Sequence, residues 1–177
     1  MKYKYVFLAI VISFFYGCKE PLARRPKKHG KQNFYREVIK KNKKLNDLQK
    51  KRIEKWIKED TIHQYQSTTK GFWFYYNTKD TLNNPKPKID DIVQLEYNVR
   101  SLNGDIIYEN RQRSYKVDKQ DFIPALQDGI KLMKKGETIT FVIPSYRAYG
   151  VTGDGNKIGI HQPIQSTVKL IDIKTNK

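Results

Sequence analysis

Residues Ile89–Tyr108 read IDDIVQLEYNVRSLNGDIIY, and the parsing of this stretch decides the fold. Val93, Leu95, Tyr97 and Val99 alternate with Gln94, Glu96 and Asn98, a period of two that turns one face of a strand to a core and the other to solvent. Asn103–Gly104 then supplies a tight turn, the strongest short hairpin signal. Ile106, Ile107 and Tyr108 begin a return strand, and Tyr115 with Val117 a further short one. Between Ile123 and Met133 the pattern changes. Pro124 fits a first helical turn, Leu126, Ile130 and Met133 recur at helical spacing, and Lys134, Lys135 and Gly136 end the run. Thr138–Ile143 is β-rich and Val168–Ile173 forms a last strand. Some six strands with one short helix among them predict an antiparallel sheet covered by that helix, an α+β domain.

Upstream of this domain, NNPKPK at residues 83–88 imposes extended backbone and closes off what precedes. GFWFYYN, Gly71–Asn77, is dense in aromatics and fits a strand in a core or a docking segment. Asn33 is a plausible N-cap for a helix running to about Asp60. Its apolar residues, Phe34, Val38, Leu45, Leu48, Ile53, Trp56 and Ile57, form a narrow stripe among lysines. Such a helix lies against something on one side only: its own domain, a partner or a membrane surface.

The first residues carry a different message. Lys2 and Lys4 precede an apolar run from Tyr5 to Tyr16 that ends at Gly17 and Cys18, too short for a comfortable membrane span. A basic start, an apolar stretch and a small residue before cysteine make the layout of a bacterial lipoprotein signal, with Cys18 as the lipidated residue; the other reading is an ordinary signal peptide with an incidental cysteine. Either reading exports the mature chain. With a single cysteine no internal disulfide is available, so stability has to come from packing. KEPLARRPKKHGK after Cys18 reads as a flexible tether. The expected organisation is thus a signal peptide (1–17), a tether (18–32), a helical and aromatic extension (33–84) and an α+β domain (85–177).

The chain carries 35 Lys or Arg against 18 Asp or Glu, a formal charge of +17. Residues 19–60 hold 16 basic against 6 acidic side chains, and residues 61–177 hold 17 against 12, so the excess sits next to the expected anchor. Basic charge raises nucleic acid as a partner, but export argues against it. A membrane-proximal basic segment instead suits anionic lipid headgroups, which give a second, electrostatic hold.

Four pieces now fall into a known order. IDDIVQLEYNV with its NG turn, DFIPALQDGIKLMKKGE, FVIPSYRAYGVTGDG and the IGIHQPIQSTVKLIDI tail resemble the FKBP-type peptidyl-prolyl isomerases over roughly Ile89–Ile173. ARRP after the cysteine, the lysine-rich helix and GFWFYYN further resemble the gliding-motility-associated FKBP-like lipoproteins of gliding bacteria. The resemblance implies an FKBP-like antiparallel sheet wrapped on a short helix, with an N-terminal helical extension. It implies proline-containing polypeptides as substrates, envelope or motility proteins as partners, a lipid-anchored place in the bacterial cell envelope, and neither metal nor cofactor.

The chemistry suits that absence. Peptide-bond rotation faces a barrier of ~18–20 kcal/mol set by amide resonance, and exchange before proline takes tens to hundreds of seconds. Lowering that barrier needs no nucleophile or proton shuttle. It needs an apolar aromatic pocket that holds the ring and removes water from the planar, more dipolar amide, and a few donors that hold the substrate backbone. No Ser, His and Asp grouping stands out, and His29, His63 and His161 lack a second ligand at useful spacing.

Carried over position by position, the resemblance assigns Tyr149, Ile123 and Tyr97 as the catalytic residues, with Tyr149 the hydroxyl donor to a substrate carbonyl, Ile123 the backbone N–H donor and Tyr97 an aromatic wall. It assigns Tyr108, Glu109, Tyr115, Phe122, Leu126 and Ile158 to the pocket; Tyr97 and Leu126 also fit plain core positions. In IPSYRAYG, Tyr146 reads as packing or surface. The chain departs from the family pattern in four places. Leu126 stands where a tryptophan floors the pocket, Ser166 where the tail has a phenylalanine, and Gly159 and Ile160 where prolines follow the tail isoleucine. Ile107, Tyr108 and Glu109 replace a Phe-Asp pair, so the acidic pocket residue is Glu109 or missing. Two functions fit: an active isomerase, or an FKBP-like binding module using the same cleft.

Overall fold

A computed structural model of the chain describes residues 29–82 and 84–175. The expected signal peptide, Cys18 and most of the tether lie outside the described residues. The elements are α1 (His29–Glu59), β1 (Gln66–Ser67), β2 (Trp73–Thr78), β3 (Ile92–Arg100), β4 (Ile106–Lys116), α2 (Pro124–Ile130), β5 (Thr138–Ile143), a 3-10 turn (Ser145–Arg147) and β6 (Ile164–Lys174). All six strands join one antiparallel sheet in the order β1-β2-β5-β6-β3-β4. From Ile39 onward the chain is one compact unit.

The alternation read in β3 is realised. Val93, Leu95, Tyr97 and Val99 are buried on the face that α2 covers, with Phe72, Phe74, Phe141, Ile143, Val168 and Leu170 beside them. Pro124 occupies the first turn of α2, and Ala125, Leu126, Gly129 and Ile130 form its buried side, one stripe of a helical period. Past Ile130 the helical path tightens into i→i+3 turns, in which the N–H groups of Leu132 and Met133 donate to Gly129 and Ile130. Met133 is fully buried, as its spacing requires.

The opposite face carries a smaller core. Trp73 and Val142, next in sequence to residues of the main core, point the other way and pack with Ile53, Trp56 and Ile57 of α1. From Ile53 to Ile57 the narrow stripe therefore covers the domain's own sheet, while Leu48 remains exposed.

Four details differ from the sequence reading. Asn33 caps nothing, because α1 begins at His29; Gly30 costs the helix only about 1 kcal/mol, so the apolar stripe marks where the helix packs and not where it starts. The sheet reaches back into the aromatic segment, since β2 pairs with β5 through Trp73↔Val142 and Phe74↔Phe141. The hairpin loop centres on Leu102–Asn103, with Gly104 at φ +93° and Ser101 N–H bonded to the Asp105 carbonyl at 2.9 Å; three loop residues with a left-handed third close this hairpin. Finally, the two short strands expected over 106–117 are one eleven-residue strand, β4. It is an edge strand, and its polar middle, NRQRS, looked like a break because an edge tolerates polar residues on both faces.

Candidate active site

A cleft of about 320 Å³ opens between β3, β4, the start of α2 and the turn after β5, lined by Tyr97, Arg111, Arg113, Asp121, Phe122, Ile123, Pro124, Ala148 and Tyr149. Its aromatic wall is a stack of edges. Phe122 meets Tyr97 edge-on with ring centres 5.1 Å apart and leans on Tyr115 at 5.4 Å. Arg111 lies over the Tyr97 ring at 5.0 Å and over Tyr108 at 4.8 Å. Arg113 lies over Phe122 at 4.5 Å and donates to the Asp121 carbonyl at 2.6 Å. Guanidinium planes on ring faces stiffen both partners and put positive charge on the rim.

Ile123 and Tyr149 line the same cleft. Ile123 sits at the entry to α2 with extended backbone (φ −55°, ψ 122°), and its carbonyl accepts from Leu126 and Gln127 at 2.8 and 3.0 Å. Its N–H precedes the helix, and among the described residues it has no acceptor. Tyr149 follows the 3-10 turn, half-buried, and its hydroxyl likewise has no partner among the described residues. Burial is the main cause that raises its pKa, with Tyr97 next and Arg111 opposing. The hydroxyl thus stays protonated and available as a donor at neutral pH.

The remaining assignments divide. Tyr97 is 5% exposed and lines the cleft with Phe122, Ile123 and Tyr149. Tyr115 and Leu126 have no exposed surface: both support the wall from behind and touch no ligand in this arrangement. Tyr115 uses its hydroxyl to accept from the Asp118 N–H at 3.2 Å. Ile158, 3% exposed, belongs to the core. Tyr108 stands at the edge of the cleft and donates to Asp154. Glu109 is a correction. From Tyr97↔Arg111 to Val99↔Tyr108, β3 advances two residues while β4 recedes three, so a bulge absorbs one residue and delivers Tyr108, not Glu109, to the cleft side. Glu109 is exposed.

The acid near the cleft is Asp154. Burial works to raise its pKa, but the bonds from Tyr108 and from the N–H groups of Ile158 and Asn156 outweigh it and hold the carboxyl low. The same bond raises the Tyr108 hydroxyl. Sequence reasoning missed Asp154, Arg111 and Arg113. The alternation of the two arginines with Tyr115 was available, had β4 been read as one strand. Ser166 is no hole in the pocket either. Fully buried, it donates to the Asn98 carbonyl at 2.6 Å, satisfying the backbone of β3 opposite the bulge. Among the described residues no cluster of His, Cys, Asp or Glu is placed to hold a metal, and no helix is long and apolar enough to cross a membrane.

An antiparallel sheet covered by one short helix, beside an aromatic cleft that offers one hydroxyl and one N–H without partners among the described residues, defines an α+β domain. The family model of FKBP-type peptidyl-prolyl cis-trans isomerases matches residues 83–171, half of the chain, and the chain belongs to that family. It is 31% identical over 138 residues to the probable FKBP-type peptidyl-prolyl cis-trans isomerase FkpA of Neisseria meningitidis serogroup B, over 77% of this chain and 50% of that protein. It is 32% identical over 90 residues to the macrophage infectivity potentiator of Trypanosoma cruzi, over 50% of this chain and 46% of that one. The chain spans about half the length of these curated relatives. Among solved structures, FkpA from Escherichia coli superposes with a TM-score of 0.60 at 25% identity, over 97% of this chain and 82% of that one. A peptidyl-prolyl isomerase from Pseudomonas syringae pv. tomato superposes with a TM-score of 0.59 at 22% identity, over 73% and 96%; at that identity the likeness is one of fold.

Proposed function

We propose that this protein is a prolyl isomerase that accelerates cis–trans exchange of X–Pro bonds in exported polypeptides. The observation that carries the reading is the pairing of two unpartnered donors, the Tyr149 hydroxyl and the Ile123 N–H, across a cleft walled by Tyr97 and Phe122. The wall takes the proline ring and strips water from the amide, which costs the planar, dipolar form more than the twisted one. The two donors hold substrate carbonyls so that the rotating bond stays over the wall. Only orientation and desolvation are asked of the side chains.

Anchoring belongs to the same reading. Cys18 carries lipid, the basic residues of 19–60 lie on anionic headgroups, and the site serves proline-containing clients in the bacterial envelope, among them proteins of a gliding-motility apparatus. Nucleic acid is not a partner. The functional unit begins upstream of residue 85, because β1 and β2 are part of the sheet.

A second reading, a non-catalytic FKBP-like binding module, is favoured by one observation: Leu126 is completely covered and gives the cleft no exposed floor. The test is a protease-coupled or fluorescence isomerisation assay with proline peptides on the purified chain. Exchange faster than the uncatalysed rate, lowered by Tyr149→Phe, supports the enzyme. Exchange at the uncatalysed rate, with no effect of Tyr149→Phe, sinks it and leaves the binding module.

A further inference from the structure

Gln49 lies on α1, on the face of the sheet opposite α2, yet its side-chain amide closes a ring of hydrogen bonds around the turn that carries Tyr149. Its Oε1 accepts from the Ser145 N–H at 2.6 Å, and its Nε2 donates to the His161 carbonyl at 2.8 Å. The free ends of those two residues meet at Gly150. The Ser145 carbonyl accepts from the Gly150 N–H at 2.8 Å, and the His161 N–H donates to the Gly150 carbonyl at 2.9 Å. Gly150 holds φ +63°, a backbone that side chains rarely adopt, and it directly follows Tyr149. The four bonds run Gln49, Ser145, Gly150, His161 and back to Gln49. A primary amide is the one side chain that presents a donor and an acceptor in the plane of a peptide group, so Gln49 acts here as a missing piece of backbone.

We propose that Gln49 is a positioning residue for the site, and that docking of α1 sets the geometry of the Tyr149–Gly150 turn. The proposal rests on the isomerase reading for its kinetic test and stands without it for its structural one. Gln49 never contacts the cleft. It lines a separate cavity of about 250 Å³ with Leu45, Arg52, Ile53, Leu102, His161 and Pro163. Removing its amide leaves the Ser145 N–H and the His161 carbonyl without partners and frees the two arms of the turn to separate. The N-terminal helix is then a handle on the active site: whatever moves α1 also moves Tyr149.

The test uses the full chain and two variants. Gln49→Leu keeps the volume in a largely apolar cavity but removes both bonds. Amide hydrogen exchange of Ser145 and Gly150 should speed up about tenfold while Leu95 and Leu170 in the sheet keep their protection, and kcat/KM for a proline peptide should fall about tenfold with KM nearly constant. Gln49→Glu retains the acceptor, and its carboxyl donates to His161 only when protonated. Its Gly150 amide resonance and its kcat/KM should therefore return toward the wild-type values as pH falls from 7 to 4, through the ordinary glutamate range near ~4.3. The neighbouring charged and titratable groups, Arg52 of α1 and His161 of the loop, are identical in the wild type, whose own pH profile is the control. Unchanged Gly150 exchange in Gln49→Leu would overturn the proposal, as would exchange that rises equally at Leu95 and Leu170, or a Gln49→Glu variant with no recovery at low pH. A wild-type chain inactive on every proline peptide defeats the isomerase reading and leaves the exchange experiment to decide this one.

Discussion

The two helices of the described residues cover opposite faces of one sheet and are held in opposite ways. α2 has seven residues, four of them buried, and is locked by shape. Gly129 approaches Phe141 so closely that a Cβ there would lie 2.5 Å from the ring. α1 has 31 residues, and from Ile39 onward it meets the sheet through a small apolar patch and a few polar bonds. The Tyr149 turn lies between them. Arg147 ties it to α2 through Asp128 at 2.5 Å, and Gln49 ties it to α1. Packing specifies α2; hydrogen bonds specify where α1 sits, and hydrogen bonds are easier to loosen one at a time.

Deleting the same side chain on each helix measures that contrast. Ile130 and Ile53 are both fully buried. Ile130→Ala opens the main core, whose walls cannot collapse, and should cost ~4 kcal/mol; Ile53→Ala, in a small cluster with partly buried neighbours, should cost ~2 kcal/mol. Denaturant unfolding gives both values. The protein's only two tryptophans, Trp56 and Trp73, belong to the α1 contact, so their fluorescence should change at low denaturant in Ile53→Ala and only with global unfolding in Ile130→Ala. Equal costs and coincident transitions would erase the distinction between the helices.

What could be read from the sequence follows the same division. β3 and α2 were legible because each has one buried face, so burial writes the element's period into the residues, and β5 because burial on both faces leaves a short β-rich apolar run. β4 was not, since Arg111 and Arg113 stay polar on the very side that lines the cleft. Glu109 and Tyr108 exchanged roles because a bulge shifts the register by one, and nothing local to residues 108–111 announces it. The donors Tyr149 and Ile123 were placed through family resemblance. Gln49 left no trace: its partners are 96 and 112 residues away, and one glutamine among lysines has no period.

Tyr149→Phe tests the site that lies between the helices. Removing one hydroxyl that donates during rotation should lower kcat/KM about tenfold, ~1.4 kcal/mol, in the isomerisation assay. The melting temperature should stay within a degree or two, since no described residue bonds that hydroxyl. Gly129→Ala acts from the side of α2. Overpacking against Phe141 costs about 1–3 kcal/mol, and helix propensity returns about 1 kcal/mol, so a net loss of about 1 kcal/mol is expected by thermal unfolding, with kcat/KM lowered as α2 moves off the sheet. A stabilised Gly129→Ala protein would mean that α2 is less tightly set than its contacts indicate.

The smallest effect concerns acid and should again separate the helices. Directly after α1 comes Asp60, whose carboxylate accepts from the Tyr65 hydroxyl at 2.7 Å, from the His63 ring at 2.8 Å and from the Ile62 N–H at 2.8 Å. The His63 bond is the largest cause that holds this carboxyl far below the ordinary aspartate value, followed by that of Tyr65. A group depressed in the folded state favours unfolding when it takes up a proton, so its contribution is complete above the unfolded-state value of about 3.9 and fades as pH falls below it. Asp80, Asp154 and Asp172 are also held low, and the wild type will lose stability in acid from several sources. The informative quantity is the difference from Asp60→Asn. Melting temperatures of the two proteins should differ most at neutral pH and converge below pH 4, with the tryptophan signal of the α1 contact shifting before circular dichroism of the sheet. A difference that stays constant from pH 7 to pH 3 would show that Asp60 ends the helix by shape alone, and that α1 is held more like α2 than its polar contacts suggest.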